Sequence, residues 1–228
     1  GKGFQDARGF GWESEKPDFD WTVLRDNKRE EIARLNSIYR NLLASVEADV
    51  IDGRARIIDA HTVAVGEQRF SADKILIATG GWPHIPSFAG SDLAVTSNEI
   101  FDLASFPKRL IIVGGGYIAV EFAGIFNGLG AQVTQLYRGP LFLRGFDEDI
   151  RQHAAQEIAK TGVDLRFELN VNAITQGADG LEVALTDGST LQADAVLYAT
   201  GRKPHLEGLG LENVNVALTE KGTVAVDS

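Results

Sequence analysis

The spacing of hydrophobic residues changes along the first part of the chain. Within residues 19–46, apolar side chains recur three and four positions apart from Ile32 onward, which predicts one long amphipathic helix. From Val50 to Leu76 the apolar residues instead form short runs separated by glycine or polar residues, a pattern typical of strands. We therefore expect a small sheet whose strands are residues 56–58, 62–65 and 74–77.

Turn-forming residues follow this sheet, and a different pattern begins after them. Residues 80–90 concentrate glycine, proline and serine, which indicates a crossing into a second domain. Residues 104–200 then alternate strand, helix, strand, helix and strand, continue into a meander, and end in a buried strand. The alternation is typical of an α/β fold, Rossmann-like, with a βαβ parallel sheet plus a β-meander.

Local signals support two of these elements. Asp147 and its acidic neighbours occupy the first turn of the second helix, residues 147–160, where the helix dipole favours acids, and Gly162 follows its end. In the meander, Asp187-Gly188 separates two strand-like runs and predicts a hairpin.

The segment 110–124, LIIVGGGYIAVEFAG, predicts a strand, a phosphate-cradling turn and a helix. Gly114 permits the tight turn, and Gly116 lets the backbone approach a pyrophosphate. Ala119 allows the helix to pack closely on the strand. The helix then presents free N–H groups and its positive dipole end to the anion. We predict a dinucleotide site formed by Gly114, Gly116, Ile118 and Ala119.

The residues after the next strand indicate which dinucleotide is bound. An NAD-binding unit normally carries an acidic residue there for the ribose 2′-hydroxyl, whereas this chain has Tyr137 followed by Arg138, with Arg144 beyond it. Guanidinium groups form charge-assisted, bidentate hydrogen bonds with a 2′-phosphate, which a carboxylate would repel. Arg138 and Arg144 therefore favour NADPH over NADH.

The net charge, the length of the apolar stretches and the spacing of the histidines argue against several other functions. The formal net charge is −10 over 228 residues, which argues against nucleic acid or an anionic membrane as partner. No apolar stretch is long enough to span a membrane and no signal peptide is visible, so we expect a cytoplasmic protein. The four histidines share no metal-ligand spacing, so no metal site is predicted.

Four motifs in one order point to a family. They are residues 75–83 (ILIATGGWP), 96–99 (TSNE), 114–124 (GGGYIAVEFAG) and 199–204 (ATGRKP). With these motifs the chain resembles the flavin-dependent disulfide reductases, and among them the glutathione reductases of the bacterial type. The resemblance implies part of an FAD-binding domain at 1–103, an NADPH-binding domain at 104–200 and a return segment toward the FAD domain at 201–228.

The same resemblance implies roles for further residues. Tyr117 matches the aromatic lid that covers the flavin until nicotinamide displaces it, and Glu121 matches an acid that pairs with a lysine beside the flavin. Tyr39 matches a stretch bordering the glutathione pocket, although its helical spacing makes a core role almost as reasonable. The positions matching the FAD site are Thr79, Gly80, Gly201, Arg202 and the backbone at Ala55.

The implied activity is reduction of glutathione disulfide by NADPH through FAD, in a homodimeric parent enzyme. The family's first GxGxxG unit, its CxxxxC redox disulfide and its dimerisation domain are missing, so we expect an internal fragment. Because thiol-disulfide exchange needs a thiolate and the chain has no cysteine, these residues alone are expected to be inactive. The alternatives are another flavin disulfide reductase, of trypanothione or mercuric type, and a stand-alone nucleotide-binding module.

Overall fold

The computed structural model describes residues 2–12 and 18–227. The chain divides into two compact units, a larger one (Gly1–Arg25 and Pro83–Gly201) and a smaller one (Asp26–Trp82 and Arg202–Ser228). The helices are α1 (Lys2–Gly9), α2 (Trp21–Ser45), α3 (Tyr117–Leu129) and α4 (Glu148–Lys160), with 3₁₀ turns at Ser91–Leu93, Ile100–Asp102 and Leu211–Asn213. The strands are β1 (Ala55–Asp59), β2 (Thr62–Val65), β3 (Gln68–Ser71), β4 (Gly81–Pro83), β5 (Arg109–Val113), β6 (Gln132–Tyr137), β7 (Asp164–Phe167), β8 (Val171–Gly177), β9 (Gly180–Leu185), β10 (Thr190–Ala193), β11 (Ala195–Tyr198) and β12 (Arg202–Pro204).

The larger unit is built on a parallel sheet in the order β11-β5-β6-β7. Residues 110–113 of β5 are buried on both faces, as expected for a parallel strand covered on both sides. One face packs against Ala119, Ala123 and Phe126 of α3, and the other packs against the apolar side chains of the β10-β9-β8 meander. The predicted α/β fold with a parallel sheet and a meander is confirmed.

The local signals of the larger unit work as predicted. Asp147 caps α4, because its carboxylate accepts hydrogen bonds from the N–H groups of Asp149 (3.0 Å) and Ile150 (3.2 Å). In the hairpin between β9 and β10, Gly188 has φ 86° and its N–H donates to the Leu185 carbonyl at 3.1 Å. The element order predicted for residues 104–200 is therefore correct.

The smaller unit contains the sheet β1-β2-β3 and the two-stranded pair β12-β4. The predicted strands at 56–58 and 62–65 are correct, but the one at 74–77 is wrong. The third strand is Gln68–Ser71, which pairs with β2 after a tight turn. A strand needs a neighbour to complete its ladder, and among the described residues none pairs with 74–77, where Leu76 is 89 % exposed.

The predicted long helix is confirmed as α2, and burial is uneven along it. Trp21 at its start is buried in the larger unit, where its indole N–H donates to the Leu103 carbonyl at 2.8 Å. Further along, Ile32, Tyr39 and Leu42 are exposed, as is Val46 just after the helix, whereas Leu35 is half-buried. The spacing thus predicts the helix. Among the described residues, however, no element packs against most of its apolar face.

The return segment is tied to β1 within the smaller unit. The N–H of Ile57 donates to the Leu209 carbonyl at 2.8 Å, and the amide of Asn213 donates to the Ile57 carbonyl at 2.7 Å. The Arg54 guanidinium donates to the Glu207 carbonyl at 2.5 Å. These bonds pair residues 207–213 with a strand far earlier in the chain. The functional boundaries at 103 and 200 stay a prediction.

Candidate nucleotide-binding site

The turn between β5 and α3 is closed tightly on its inner side. Gly114 has φ 152°, and a Cβ added there would lie 2.4 Å from the Ala199 carbonyl oxygen. Its N–H donates to the Leu136 carbonyl at 2.9 Å, which joins the turn to β6. Both the positive φ and the close approach exclude a larger residue, so the turn requires glycine at this position.

The outer side of the same turn is open. A Cβ added at Gly116 would have no atom within 4 Å, and Gly116 caps α3 without any side-chain hydrogen bond. The N–H groups of the first turn, which includes Tyr117, Ile118 and Ala119, have no partners within the helix. Ala119 itself is fully buried where α3 packs on the sheet. The turn therefore combines a tightly packed base, open space at Gly116 and N–H donors without intrahelical partners, an arrangement that suits an anion.

The ring of Tyr137 fills the space beside the turn. A Cβ added at Gly115 would lie 2.4 Å from the Tyr137 Cδ2, and one at Gly139 would lie 2.7 Å from its Cε1. Two glycines thus bracket the tyrosine that stands where an NAD-binding unit has its acidic residue. From the sequence, Tyr137 was interpreted only as the absence of a carboxylate, and this packing was missed. Gly139, directly after Arg138, was a signal that a side chain lies close to the backbone there.

Gln135 is a second residue that the sequence reasoning missed. It is buried in β6, and its Nε2 donates to the Gly114 carbonyl at 3.0 Å, beneath the glycine turn. Its Oε1 is buried and accepts no hydrogen bond from the part of the chain that the structure describes. The amide therefore holds the first glycine of the turn at the cost of one unsatisfied acceptor.

Both predicted arginines lie in the loop between β6 and α4, residues 138–147. Arg138 and Arg144 are exposed, and neither forms an ion pair with any described residue. The loop is joined to the glycine turn because the N–H of Leu143 donates to the Gly115 carbonyl at 2.6 Å. The structure therefore brings a loop with two unneutralised guanidinium groups against the glycine turn.

The other predicted residues of the larger unit lie near the glycine turn or after β11. Tyr117 is the first residue of α3 and is 59 % exposed, and Glu121 is exposed one turn later. Gly201 follows β11, and its carbonyl accepts a hydrogen bond from the N–H of His84 at 3.1 Å.

The remaining predicted positions belong to the smaller unit. Ala55 is the first residue of β1, and Thr79 and Gly80 are exposed, with Gly80 at φ 67°. The Arg202 guanidinium donates to the Gly81 carbonyl, which holds β12 beside β4. Tyr39 is 59 % exposed on α2, so a core role among the described residues is not observed for it.

Asp194 and Tyr198, both in the larger unit, have perturbed pKa values. Burial by itself raises the pKa of Asp194, but the hydrogen bonds from the Arg109 guanidinium and backbone outweigh it, so the net pKa is below its ordinary value. The Arg109 Nη2 lies 2.6 Å from Asp194 and also donates to the Asp179 carbonyl at 2.5 Å, which ties β5 to the meander. Burial raises the pKa of Tyr198, which stacks on Phe88. Both perturbations are structural.

The described residues contain no group of three or more His, Cys, Asp or Glu side chains placed to hold a metal ion. None of the helices so described is both long and apolar enough to cross a membrane.

Comparison with known proteins places this geometry in a family. A family model described as pyridine nucleotide-disulphide oxidoreductase matches residues 5–228. The chain is 48 % identical over 227 residues to the glutathione reductase of Burkholderia cepacia, covering 100 % of this chain and 51 % of that protein. It is 44 % identical to the glutathione reductase of Nostoc sp., covering 95 % of this chain and 48 % of that protein. The trypanothione reductase of Leishmania donovani is 37 % identical, with 98 % and 49 % covered.

Solved structures agree with these relatives. The HOCl-induced flavoprotein disulfide reductase RclA from Escherichia coli matches with a TM-score of 0.85 and 33 % identity, covering 92 % of this chain and 49 % of that chain. The chain spans about half the length of the curated relatives it matches. The glycine turn and the parallel sheet agree with these matches. The chain belongs to the pyridine nucleotide-disulphide oxidoreductase family.

Proposed function

We propose that this chain is the NADPH-binding portion of a glutathione-disulfide reductase. The observation that carries the proposal is the glycine turn with its open outer side, joined through Leu143 to a loop whose two arginines, Arg138 and Arg144, form no ion pair with described residues. Two cations that form no ion pair with the described residues, on a loop bonded to an anion-binding turn, suit a ligand with two separate phosphate groups. NADPH has this character, through its pyrophosphate and its 2′-phosphate.

The residues present fit that ligand. The backbone N–H groups near Gly116, Ile118 and Ala119 would bind the pyrophosphate, because they lie at the start of a helix and the space beside Gly116 is open. Arg138 and Arg144 would bind the 2′-phosphate as bidentate donors. Tyr137 occupies the place of the acid that would otherwise select NADH.

In the whole enzyme we propose that NADPH supplies a hydride to FAD and that the electrons pass through a redox disulfide to glutathione disulfide. The part of this chain in that reaction is to position the nicotinamide. Tyr117 would gate access to the flavin by stacking, since its ring is exposed at the start of α3. Glu121 would balance charge beside the flavin. Thr79, Gly80, Gly201, Arg202 and the backbone of Ala55 would contribute to the FAD site.

The substrate and setting follow from the relatives. Glutathione is favoured over trypanothione, because identity is 48 % to a glutathione reductase and 37 % to a trypanothione reductase. Tyr39 would border the glutathione pocket. A homodimeric parent enzyme and a cytoplasmic location are parts of the same proposal. Disulfide exchange needs a thiolate, and these 228 residues contain no cysteine, so that step would not occur on them.

A calorimetric titration of the chain with NADPH and, separately, NADH at one ionic strength tests the proposal. We expect NADPH to bind about a hundredfold more tightly, roughly 2.7 kcal/mol, and the R138A/R144A double variant to lose that preference. The R34A variant is the control, since Arg34 is exposed on α2 and pairs only with Glu31 among the described contacts. Equal binding of NADPH and NADH by the unchanged chain would refute the arginine site.

A further inference from the structure

The backbone of the loop at 138–147 must be well ordered if its arginines are to distinguish NADPH from NADH. It is longer than the usual two to six residues of such a connection, and long charged side chains on a mobile loop lose much of their binding energy to ordering. Arg144 lies seven residues from the end of β6, so the strand alone does not fix it. The anchors of the loop therefore decide how well the arginine site is preorganised.

Arg151, on the second turn of α4, is the main side-chain anchor. Its Nε donates to the Phe142 carbonyl at 2.8 Å and its Nη2 to the Leu141 carbonyl at 2.5 Å. Its Nη1 lies 2.5 Å from a carboxylate oxygen of Glu148. The side chain is only 15 % exposed. One planar guanidinium thus spans two consecutive backbone carbonyls of the loop, a geometry that a lysine ammonium cannot reproduce.

Two further contacts hold the same stretch of backbone. The Phe142 side chain is fully buried and meets Phe167 edge-on, with 5.6 Å between ring centroids. The Leu143 N–H is bonded to the Gly115 carbonyl at 2.6 Å. Residues 141–143 are therefore fixed from three directions, and Arg144 is the next residue. Arg151 sets the position from which the Arg144 side chain extends.

We propose that Arg151 is a positioning residue for selectivity toward a 2′-phosphorylated dinucleotide, acting through the loop backbone and Arg144. The inference rests on the proposed function. Arg151 acts indirectly, because its donors are directed to two carbonyls and one carboxylate, and its side chain is largely buried. An adenine dinucleotide without the 2′-phosphate makes no use of the loop arginines, so its affinity does not depend on Arg151.

The test compares NADPH and NADH affinities of the 228-residue chain with those of its R151K variant, by calorimetry at one ionic strength. Lysine preserves the net charge, so long-range attraction for phosphate is unchanged. We expect R151K to weaken NADPH binding about tenfold, as preorganisation is lost, and to leave NADH binding unchanged. R34K is the matched control, because the same exchange on α2 removes an exposed bidentate contact to Glu31.

Two more variants separate the carbonyl contacts from the ion pair. E148Q removes the exposed carboxylate but keeps the donors to Leu141 and Phe142, and it should retain the NADPH preference of the unchanged chain. R151Q shortens the side chain and should lose the preference as R151K does, which keeps the test valid if R151K does not fold. Thermal unfolding without ligand shows which variants fold.

The outcomes are distinguishable. A fall in NADPH affinity alone, in R151K or R151Q and not in E148Q, supports the inference. Unchanged affinities for both dinucleotides overturn it, and so does an equal loss for both, which would mark Arg151 as merely structural. If E148Q loses the preference as well, the ion pair rather than the carbonyl contacts is responsible and the inference is overturned. If the unchanged chain shows no NADPH preference, the proposed function itself fails.

Discussion

Replacing Gly115 with alanine tests the packing of the glycine turn most directly. Gly115 is not among the residues with positive φ, so an alanine can adopt its backbone conformation. The nearest obstacle is the Tyr137 ring, three of whose carbons would lie 2.4, 2.5 and 2.6 Å from the new Cβ. The substitution therefore isolates one steric contact without backbone strain.

The cost follows from these distances. Carbon atoms at optimal separation are about 3.5–4.0 Å apart, so the ring would have to retreat by about 1 Å. Its retreat is limited on the other side by the backbone of Gly139, which lies so near that a Cβ added there would be 2.7 Å from the ring. Overpacking of this kind typically costs about 1–3 kcal/mol. For a chain of this size each kcal/mol lowers Tm by roughly 2–4 °C, so a cost of about 1–3 kcal/mol should lower the Tm of G115A by roughly 2–12 °C.

A double-mutant cycle measured by thermal or urea unfolding checks this reasoning. The cycle consists of G115A, Y137A and the double variant, and we expect a coupling of about 1–2 kcal/mol, because removing the ring relieves the clash. G116A is the control, since its Cβ meets no atom within 4 Å. It should cost about 0.5–1 kcal/mol, because alanine is a poorer N-cap than glycine, and it should show no coupling to Y137A. The reasoning is refuted if G115A is equally destabilising with and without the Tyr137 ring.

Two further predictions concern stability. G128A should stabilise the chain by about 0.5–1 kcal/mol in urea unfolding, because Gly128 lies inside α3 without positive φ or any atom within 4 Å of its Cβ, whereas G130A, at φ 108°, should destabilise it. D194N should cost ~1 kcal/mol at neutral pH and flatten the acid limb of a stability–pH curve. Because the folded pKa of Asp194 is lowered, its contribution is present above the ordinary Asp pKa and is lost as pH falls through the folded value. An acid limb identical in D194N and the unchanged chain would contradict this assignment.

The larger unit was largely predictable because its signals are local. The run LIIV before three glycines marks a buried strand and a turn, and Gly130 with φ 108° ends the helix that follows. The Asp147 cap and the turn at Gly188 depend on neighbours within three residues. Hydrogen bonds between residues so close in the sequence can be inferred from residue type and spacing alone.

The errors arise where pairing or packing is decided at long range. Residues 74–77 are apolar but have no strand partner among the described residues, whereas the polar β3 becomes a strand because a tight turn folds it back onto β2. Apolar character predicts burial and not the identity of the neighbour. Gln135 and Arg151 were missed for the same reason, since each is important through backbone carbonyls that are adjacent only in the folded chain.

The position of β11 in the parallel sheet has a consequence for biosynthesis. β5 pairs with β6 soon after both are made, but its other edge is completed only by β11, where Ala195 lies opposite Leu110. At the roughly 5–20 residues per second of protein synthesis, the intervening chain takes on the order of ten seconds to emerge. During that interval the ribosome-bound chain presents an uncovered row of backbone donors and acceptors on its most apolar strand, the kind of edge that chaperones shield.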